Sequence, residues 1–128
     1  IDDDIRCISK GPGKNLWIGT DNGLDLFDTE KKSFLHFNFK KIGEFTIPAR
    51  ILCVYYDSKG INWIGTESGL YKLDLKKNTL EEFISQPGEK DVISNNFIYC
   101  IVEDKNHNLW FGTARGLNFF ERKTQKFK

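Results

Sequence analysis

Short apolar blocks separated by polar, glycine-bearing turns run the length of the chain. No stretch sustains the three-to-four-residue apolar spacing of an amphipathic helix. The blocks fall into four kinds, each written three times. The first kind is "IRCIS" (5–9), "ILCVYY" (51–56) and "FIYCIVE" (97–103). The second lies in the hexamers "NLWIGT" (15–20), "INWIGT" (61–66) and "NLWFGT" (108–113). The third is "GLDLFD" (23–28), "GLYKLD" (69–74) and "GLNFFE" (116–121), and the fourth "SFLHF" (33–37), "TLEEFI" (79–84) and "QKFK" (125–128). Short runs rich in β-branched and aromatic residues, bounded by Gly, Asn and Asp, read as strands. The pattern therefore predicts four strands per unit, with at most one helical turn in "PGEKDVISNN".

The units share one frame. Trp17, Trp63 and Trp110 stand 46 and 47 residues apart, and Gly19, Gly65 and Gly112 keep those intervals. So do Thr20, Thr66 and Thr113, and the pairs beginning at Gly23, Gly69 and Gly116. A period in the forties belongs to solenoids and propellers. "GPGKN", "DSKGI" and "DKNHN" supply hairpin turns between the first two strands. Glycine at the third position of the next turn implies a positive φ, where a Cβ would clash. The fold class that follows is all-β: a β-propeller fragment of three consecutive four-stranded antiparallel blades of about 46 residues. Blade 1 spans about 5–37, blade 2 about 51–84 and blade 3 about 97–128.

Blades pack face to face, so the second strand is expected to be apolar on both sides, as Leu16, Trp17 and Ile18 are. A buried aromatic removes about 150–250 Å² from water. At about 25 cal/mol per Å², that is roughly 4–6 kcal/mol per tryptophan as an upper bound. Trp17, Trp63 and Trp110 are thus read as fillers between blades, and Gly19, Gly65 and Gly112 as places where a neighbouring chain comes close. Cys7, Cys53 and Cys100 each precede their tryptophan by ten residues. They are read as small buried hydrophobes, too far apart to bridge.

Composition removes several functions. Lysine plus arginine number 19 and aspartate plus glutamate 18, which argues against a dedicated nucleic-acid face or a polybasic membrane segment. No apolar run approaches the roughly 18–20 residues of a spanning helix. The start "IDDDIRCISK" has no signal-peptide pattern, and Asp2-Asp3-Asp4 reads as a solvated connector. Three cysteines without a CxxC pair, and His36 and His107 in unrelated contexts, make no metal or catalytic signature. "GPGKN" lacks the GK[ST] of a phosphate loop. No cofactor or metal is expected.

"IYCIVEDKNHNLWFGTARGLNFFE" (98–121) closely resembles the two-component regulator propeller repeat; "ILCVYYDSKGINWIGTESGLYKLD" (51–74) and "IRCISKGPGKNLWIGTDNGLDLFD" (5–28) resemble it too. The last departs at Gly11-Pro12-Gly13, where the repeat has an acidic pair, leaving the shape of that hairpin open. "ISNNFI" (93–98) resembles the entry to a blade. The resemblance implies the periplasmic sensor region of a hybrid two-component regulator of Bacteroides type, which senses oligosaccharides. It also implies histidine kinase activity in the parent protein, outside this segment. The segment itself is then not an enzyme but part of a sensor that binds ligand or relays binding. The alternatives are a protein-interaction scaffold without small ligand or, less favoured, a piece of a propeller enzyme.

Propeller ligands approach the axial mouth, formed by the connectors 38–50 and 85–97 and by the turns between second and third strands. Planar polar side chains there are the binding candidates: Asp21, Arg50, Glu67, Asn95, Asn96 and Arg115, with Phe45 as an aromatic platform. Three blades leave two aromatic-rich sheet faces open, so the partners expected are further blades of a parent chain or a second copy, two copies completing a six-bladed ring. Nucleic acid and membrane are not expected partners.

Overall fold

The computed structural model of the protein describes residues 3–37, 41–42, 45–46 and 50–128. β1 (Ile5–Lys10), β2 (Leu16–Thr20), β3 (Gly23–Asp28) and β4 (Ser33–His36) form one antiparallel sheet in sequence order. A two-residue ladder, β5 (Lys41–Ile42) with β6 (Phe45–Thr46), follows in the first connector. The second sheet holds β7 (Ile51–Tyr56), β8 (Asn62–Thr66), β9 (Leu70–Asp74) and β10 (Thr79–Phe83). The third holds β11 (Ile98–Glu103), β12 (Leu109–Thr113), β13 (Gly116–Glu121) and β14 (Lys126–Phe127). No helix occurs among the described residues, and "PGEKDVISNN" makes turns only. These are three propeller blades. The small β5–β6 ladder was not foreseen; much of the connector 38–50, like Asp2 and the side chain of Phe45, lies outside the described residues.

The hexamer is explained position by position. Its tryptophan fills the gap to the next blade: Trp17 packs with Ile51, Val54, Ile64 and Leu73, and Trp63 with Ile98, Leu109, Phe111 and Phe120. Both tryptophans are wholly buried. Its glycine faces a β-bulge that recurs between Ile5 and Cys7, Ile51 and Cys53, and Ile98 and Cys100. A Cβ on Gly19 would lie 2.5 Å from Cys7 Sγ and 2.8 Å from Ile51 Cγ2 of the next blade. Gly65 stands in the same relation to Cys53 and Ile98. Cysteine and glycine are thus a complementary pair across the two inner strands. Its threonine builds the next turn. Thr66 Oγ1 donates to the Gly69 carbonyl at 2.8 Å and accepts from Ser68 N at 3.0 Å, and Thr20 and Thr113 repeat both bonds. Gly23, Gly69 and Gly116 take φ of 138°, 143° and 109°, as the turn requires.

Among the described residues only the middle blade has a sheet on both faces, and every residue of β8 is buried. At the open side of blade 3 two expectations are corrected. Trp110 is only half-buried, resting on Phe119 with ring centroids 4.7 Å apart, and Cys100 is exposed. Among the described residues neither has a following sheet against it, so the residue type recurs while its burial does not. The first hairpin also differs from the others. Its inner turn is closed by Asn15 N to the Pro12 carbonyl, one residue later than the Gly60–Asp57 and His107–Asp104 bonds. The outer bond survives: Gly11 N donates to Asn15 O at 2.9 Å, as Asp57 N does to Ile61 O and Asp104 N to Asn108 O.

Candidate functional site

Antiparallel order gives each blade two ends. At one end lie the entry to the first strand and the turn between second and third strands, since Ile5 pairs with Thr20 and Thr20 with Gly23. At the other lie the turns joining strands one to two and three to four. The first end carries the predicted mouth residues, and three of the six meet there. Arg6 forks onto Asp21, with Nε to Oδ1 at 2.5 Å and Nη2 to Oδ2 at 2.7 Å. Arg50 bridges the blades, its Nε 3.4 Å from Asp21 Oδ1 and its Nη1 3.1 Å from Glu67 Oε2. The result is a charge ladder, Arg6–Asp21–Arg50–Glu67, running from blade 1 to blade 2. The Arg6 bond, aided by the charges of Arg6 and Arg50, holds the Asp21 carboxyl below its ordinary value.

The other three candidates stay out of this ladder. Asn95 Oδ1 accepts from Phe97 N at 2.9 Å and Asn96 Oδ1 from Ser85 N at 2.6 Å, so both amides shape the connector. Buried Asn118 assists them, accepting from Ser94 N at 2.9 Å. Arg115 is exposed, and its carbonyl accepts from Ser94 Oγ at 3.3 Å. Two residues of this end were missed. Arg6 and Tyr99 occupy the same bulge position in blades 1 and 3, and Tyr99 is 56% exposed beside Phe97, ring centroids 5.1 Å apart. The offset of the apolar pattern at Arg6, Leu52 and Tyr99 was the available signal.

The opposite end holds an ionic seam between blades 2 and 3. Asp57, its side chain wholly buried, accepts from Trp63 Nε1 at 2.8 Å and Arg122 Nη2 at 2.9 Å. Burial works to raise its carboxyl, but the Ile61 N–H, Trp63 and Arg122 outweigh that and hold it below the ordinary carboxylate value. Asp104 binds Trp110 Nε1 in the same way, at 2.9 Å. Blade 1 has Gly11 at this position, and Trp17 Nε1 turns instead to Asn62 Oδ1 of the next blade at 2.7 Å. An aspartate six residues before the tryptophan was the visible signal in blades 2 and 3.

Ser58, His107 and Glu103 also converge on the seam. His107 Nδ1 faces both Ser58 Oγ at 3.0 Å and Glu103 Oε1 at 3.1 Å, and Ser58 Oγ donates to Glu103. A hydrolytic triad uses the two ring nitrogens for two different partners, so this arrangement cannot relay a proton from Ser58 to the acid. His36 contacts Asp25 on β3, far along the chain from that set. Among the described residues, no group of three or more His, Cys, Asp or Glu could hold a metal ion. The thiols are unbridged, and burial, with Cys7 and Cys100 nearby, pushes the Cys53 thiol up to about 12.

Among the crevices of the described residues, two lie between blades 2 and 3, and the first of them is lined in part by the connector 85–97, through Gln86, Asp91, Val92 and Ile93. One, of about 390 Å³, has Phe83, Ile93 and Phe127 in its wall; the other, of about 350 Å³, lies beside Trp63, Lys72 and Arg122.

The connector entry, β11, β12 and the following turn carry the most regular copy of the repeat, and comparison with known families falls on that segment. Residues 93–115 match the family described as Two component regulator propeller. That match covers part of the connector and blade 3, and solved structures extend a likeness in fold to the whole chain. The chain is 29% identical to the extracellular domain of BT3049 from B. thetaiotaomicron, described as a hybrid two component system, with a TM-score of 0.82 over 100% of this chain and 17% of that one. The extracellular domain of BT4673 from the same organism, described as a one component system, is 24% identical with a TM-score of 0.76, over 97% of this chain and 15% of that one. A virginiamycin B lyase from Staphylococcus aureus shares the fold, at 16% identity and a TM-score of 0.66 over 98% and 40% of the two chains. The chain therefore spans less than a fifth of the two extracellular domains. No curated protein matches it by sequence.

Proposed function

We propose that the chain is a non-catalytic segment of an extracytoplasmic sensor in a hybrid two-component regulator, and that it contributes to an oligosaccharide-binding mouth. In that reading the sensor is periplasmic and signals to a histidine kinase elsewhere in the parent protein. The ladder Arg6–Asp21–Arg50–Glu67 carries the reading: it sets planar polar groups in a row, partly solvated, on the end of the blades where a ligand reaches the axis. Sugar hydroxyls pair with such groups, and Tyr99 on the same end of blade 3 offers an aromatic face. The likeness to extracellular domains of two component systems supports the cellular setting.

A second reading has its own support. The arginines and acids of the ladder close on one another, which suits a scaffold that binds no small ligand. Calorimetric titration of neutral and acidic oligosaccharides into the sensor region containing this chain separates the two. Binding that weakens about tenfold or more in Arg50→Ala is expected, since a hydrogen bond to a charged group contributes about 1.5–3 kcal/mol. No heat from any glycan, or affinity indifferent to both Arg6→Ala and Arg50→Ala, sinks the sensing assignment. Turnover of a glycan would move the chain to the enzymes.

A further inference from the structure

The geometry points to a second binding site, for a sulfate or phosphate group carried by a small molecule, in the crevice of about 350 Å³ between blades 2 and 3. It lies at the end of the blades opposite the predicted mouth and is independent of the oligosaccharide reading. Its walls belong to the two sheets of residues 51–127, where they face each other, so the open outer faces of blades 1 and 3 take no part in it.

The repeat makes the site visible. On the face that blade 1 turns to blade 2, Trp17 is followed across the strands by Leu26 and Leu35. On the corresponding face of blade 2 the row reads Trp63, Lys72 and Glu81. Blade 3 has Phe119 beside Trp110. Lys72 thus stands where the other two blades place an apolar side chain. Its Nζ lies 5.8 Å from the Trp63 ring centre, and its side chain is only 22% exposed. An ammonium drawn out of water needs partners for its donors. Gln125 Oε1 of blade 3 accepts from Nζ at 2.9 Å, whereas Glu81 Oε2, at 3.8 Å, is beyond hydrogen-bond reach. Among the described residues no other acceptor is bonded to Nζ.

The rest of the lining agrees. Lys59 and Lys77, on turns beside the crevice, are exposed, and among the described residues their ammoniums make no ion pair. Arg122 lines the crevice too, but its charge is matched by buried Asp57. Of the lining acids, Asp74 Oδ1 accepts from the Lys76 and Lys77 N–H groups at 3.0 and 3.1 Å, and Glu81, 61% exposed, can turn into water. The ammoniums of Lys59, Lys72 and Lys77 are left for an anionic group. Lysine meets a sulfate or phosphate group as a point charge with rotatable donors, whereas a planar carboxylate is matched better by an arginine fork. The volume falls within the about 300–1,000 Å³ of small-molecule sites.

Calorimetric titration of the sensor region containing this chain with sodium sulfate and with inorganic phosphate, against sodium chloride at equal ionic strength, tests the site. Saturable binding of sulfate or phosphate, absent with chloride, is expected. Lys72→Leu, which installs the residue of blade 1, should weaken it about tenfold or more, because a hydrogen bond to a charged group is lost. Lys77→Gln, at an exposed position, should weaken it by up to about fivefold. Lys31→Gln, on an exposed turn of blade 1, should leave it unchanged. Thermal melts of all three variants that match the wild type separate lost binding from lost folding. A preference for phosphate over sulfate, or the reverse, names the group the site takes. No saturable binding of either anion overturns the inference. So does binding that Lys72→Leu leaves intact, which marks an adventitious ion only, or that Lys31→Gln weakens equally, which marks diffuse attraction to surface charge.

Discussion

Replacing Gly19 by alanine isolates what holds one blade to the next. The new Cβ would sit 2.5 Å from Cys7 Sγ, 2.8 Å from Ile51 Cγ2 and 3.1 Å from Ile51 Cβ. Gly112→Ala makes the same 2.5 Å approach to Cys100 Sγ and meets nothing else. Overpacking destabilises by about 1–3 kcal/mol, and alanine in a strand returns about 0.5–1 kcal/mol relative to glycine. Gly19→Ala should therefore lower stability by about 2 kcal/mol, because Ile51 belongs to a neighbouring sheet and cannot retreat without opening the interface. Gly112→Ala should lose about 1 kcal/mol or less, since exposed Cys100 is free to change rotamer. Second changes sharpen the contrast. Adding Cys100→Ala should abolish the Gly112→Ala loss, whereas adding Cys7→Ala should leave about 1 kcal/mol of the Gly19→Ala loss, owed to Ile51. Urea unfolding followed by tryptophan fluorescence reads these as midpoint shifts at constant slope. Equal losses at positions 19 and 112, or full recovery of Gly19→Ala by Cys7→Ala, would refute the account of the hexamer glycine.

Other consequences follow from the seam and the thiols. Arg122→Met strands the buried Asp57 carboxylate and should destabilise by about 3 kcal/mol; adding Asp57→Asn should restore part of it, as a double-mutant cycle in urea will show. The folded pKa of Asp57 lies below its unfolded value of about 3.9. The folded chain therefore binds fewer protons between those two values, and stability is full above about pH 4 and falls as pH drops through the folded value. Asp57→Asn should flatten that acid limb in thermal melts, and an unchanged limb would count against the assignment. A thiol reagent should modify exposed Cys100 first and Cys53 last, because burial keeps the Cys53 thiolate scarce. Mass mapping of the modified peptides checks the order.

Much of the fold was legible because a repeat solves the same packing problem each time. Trp17, Trp63 and Trp110, the turn glycines and the spacing near 46 predicted three four-stranded sheets and the inner-strand position of the cysteines. The candidate site was legible only in part. Asp21, Arg50 and Glu67 meet at one end of the blades, but Arg6, which pairs with Asp21, sits inside a strand that looked wholly structural. Asn95 and Asn96 were read as ligand-facing amides, and their oxygens accept from the Phe97 and Ser85 N–H groups, a pairing set by a connector path that no period constrains.

The sequence by itself determined the unit: which residues become strands, where the turns fall, and that a large ring, a missing Cβ and a threonine hydroxyl must follow one another. Only the tertiary structure decided what each repeated residue experiences. Leu24, Leu70 and Leu117 are one letter at one position, yet two are sealed and the third faces water. Local pattern encodes backbone conformation and the face a side chain takes, whereas burial and ion pairing depend on whether another sheet arrives to exclude solvent.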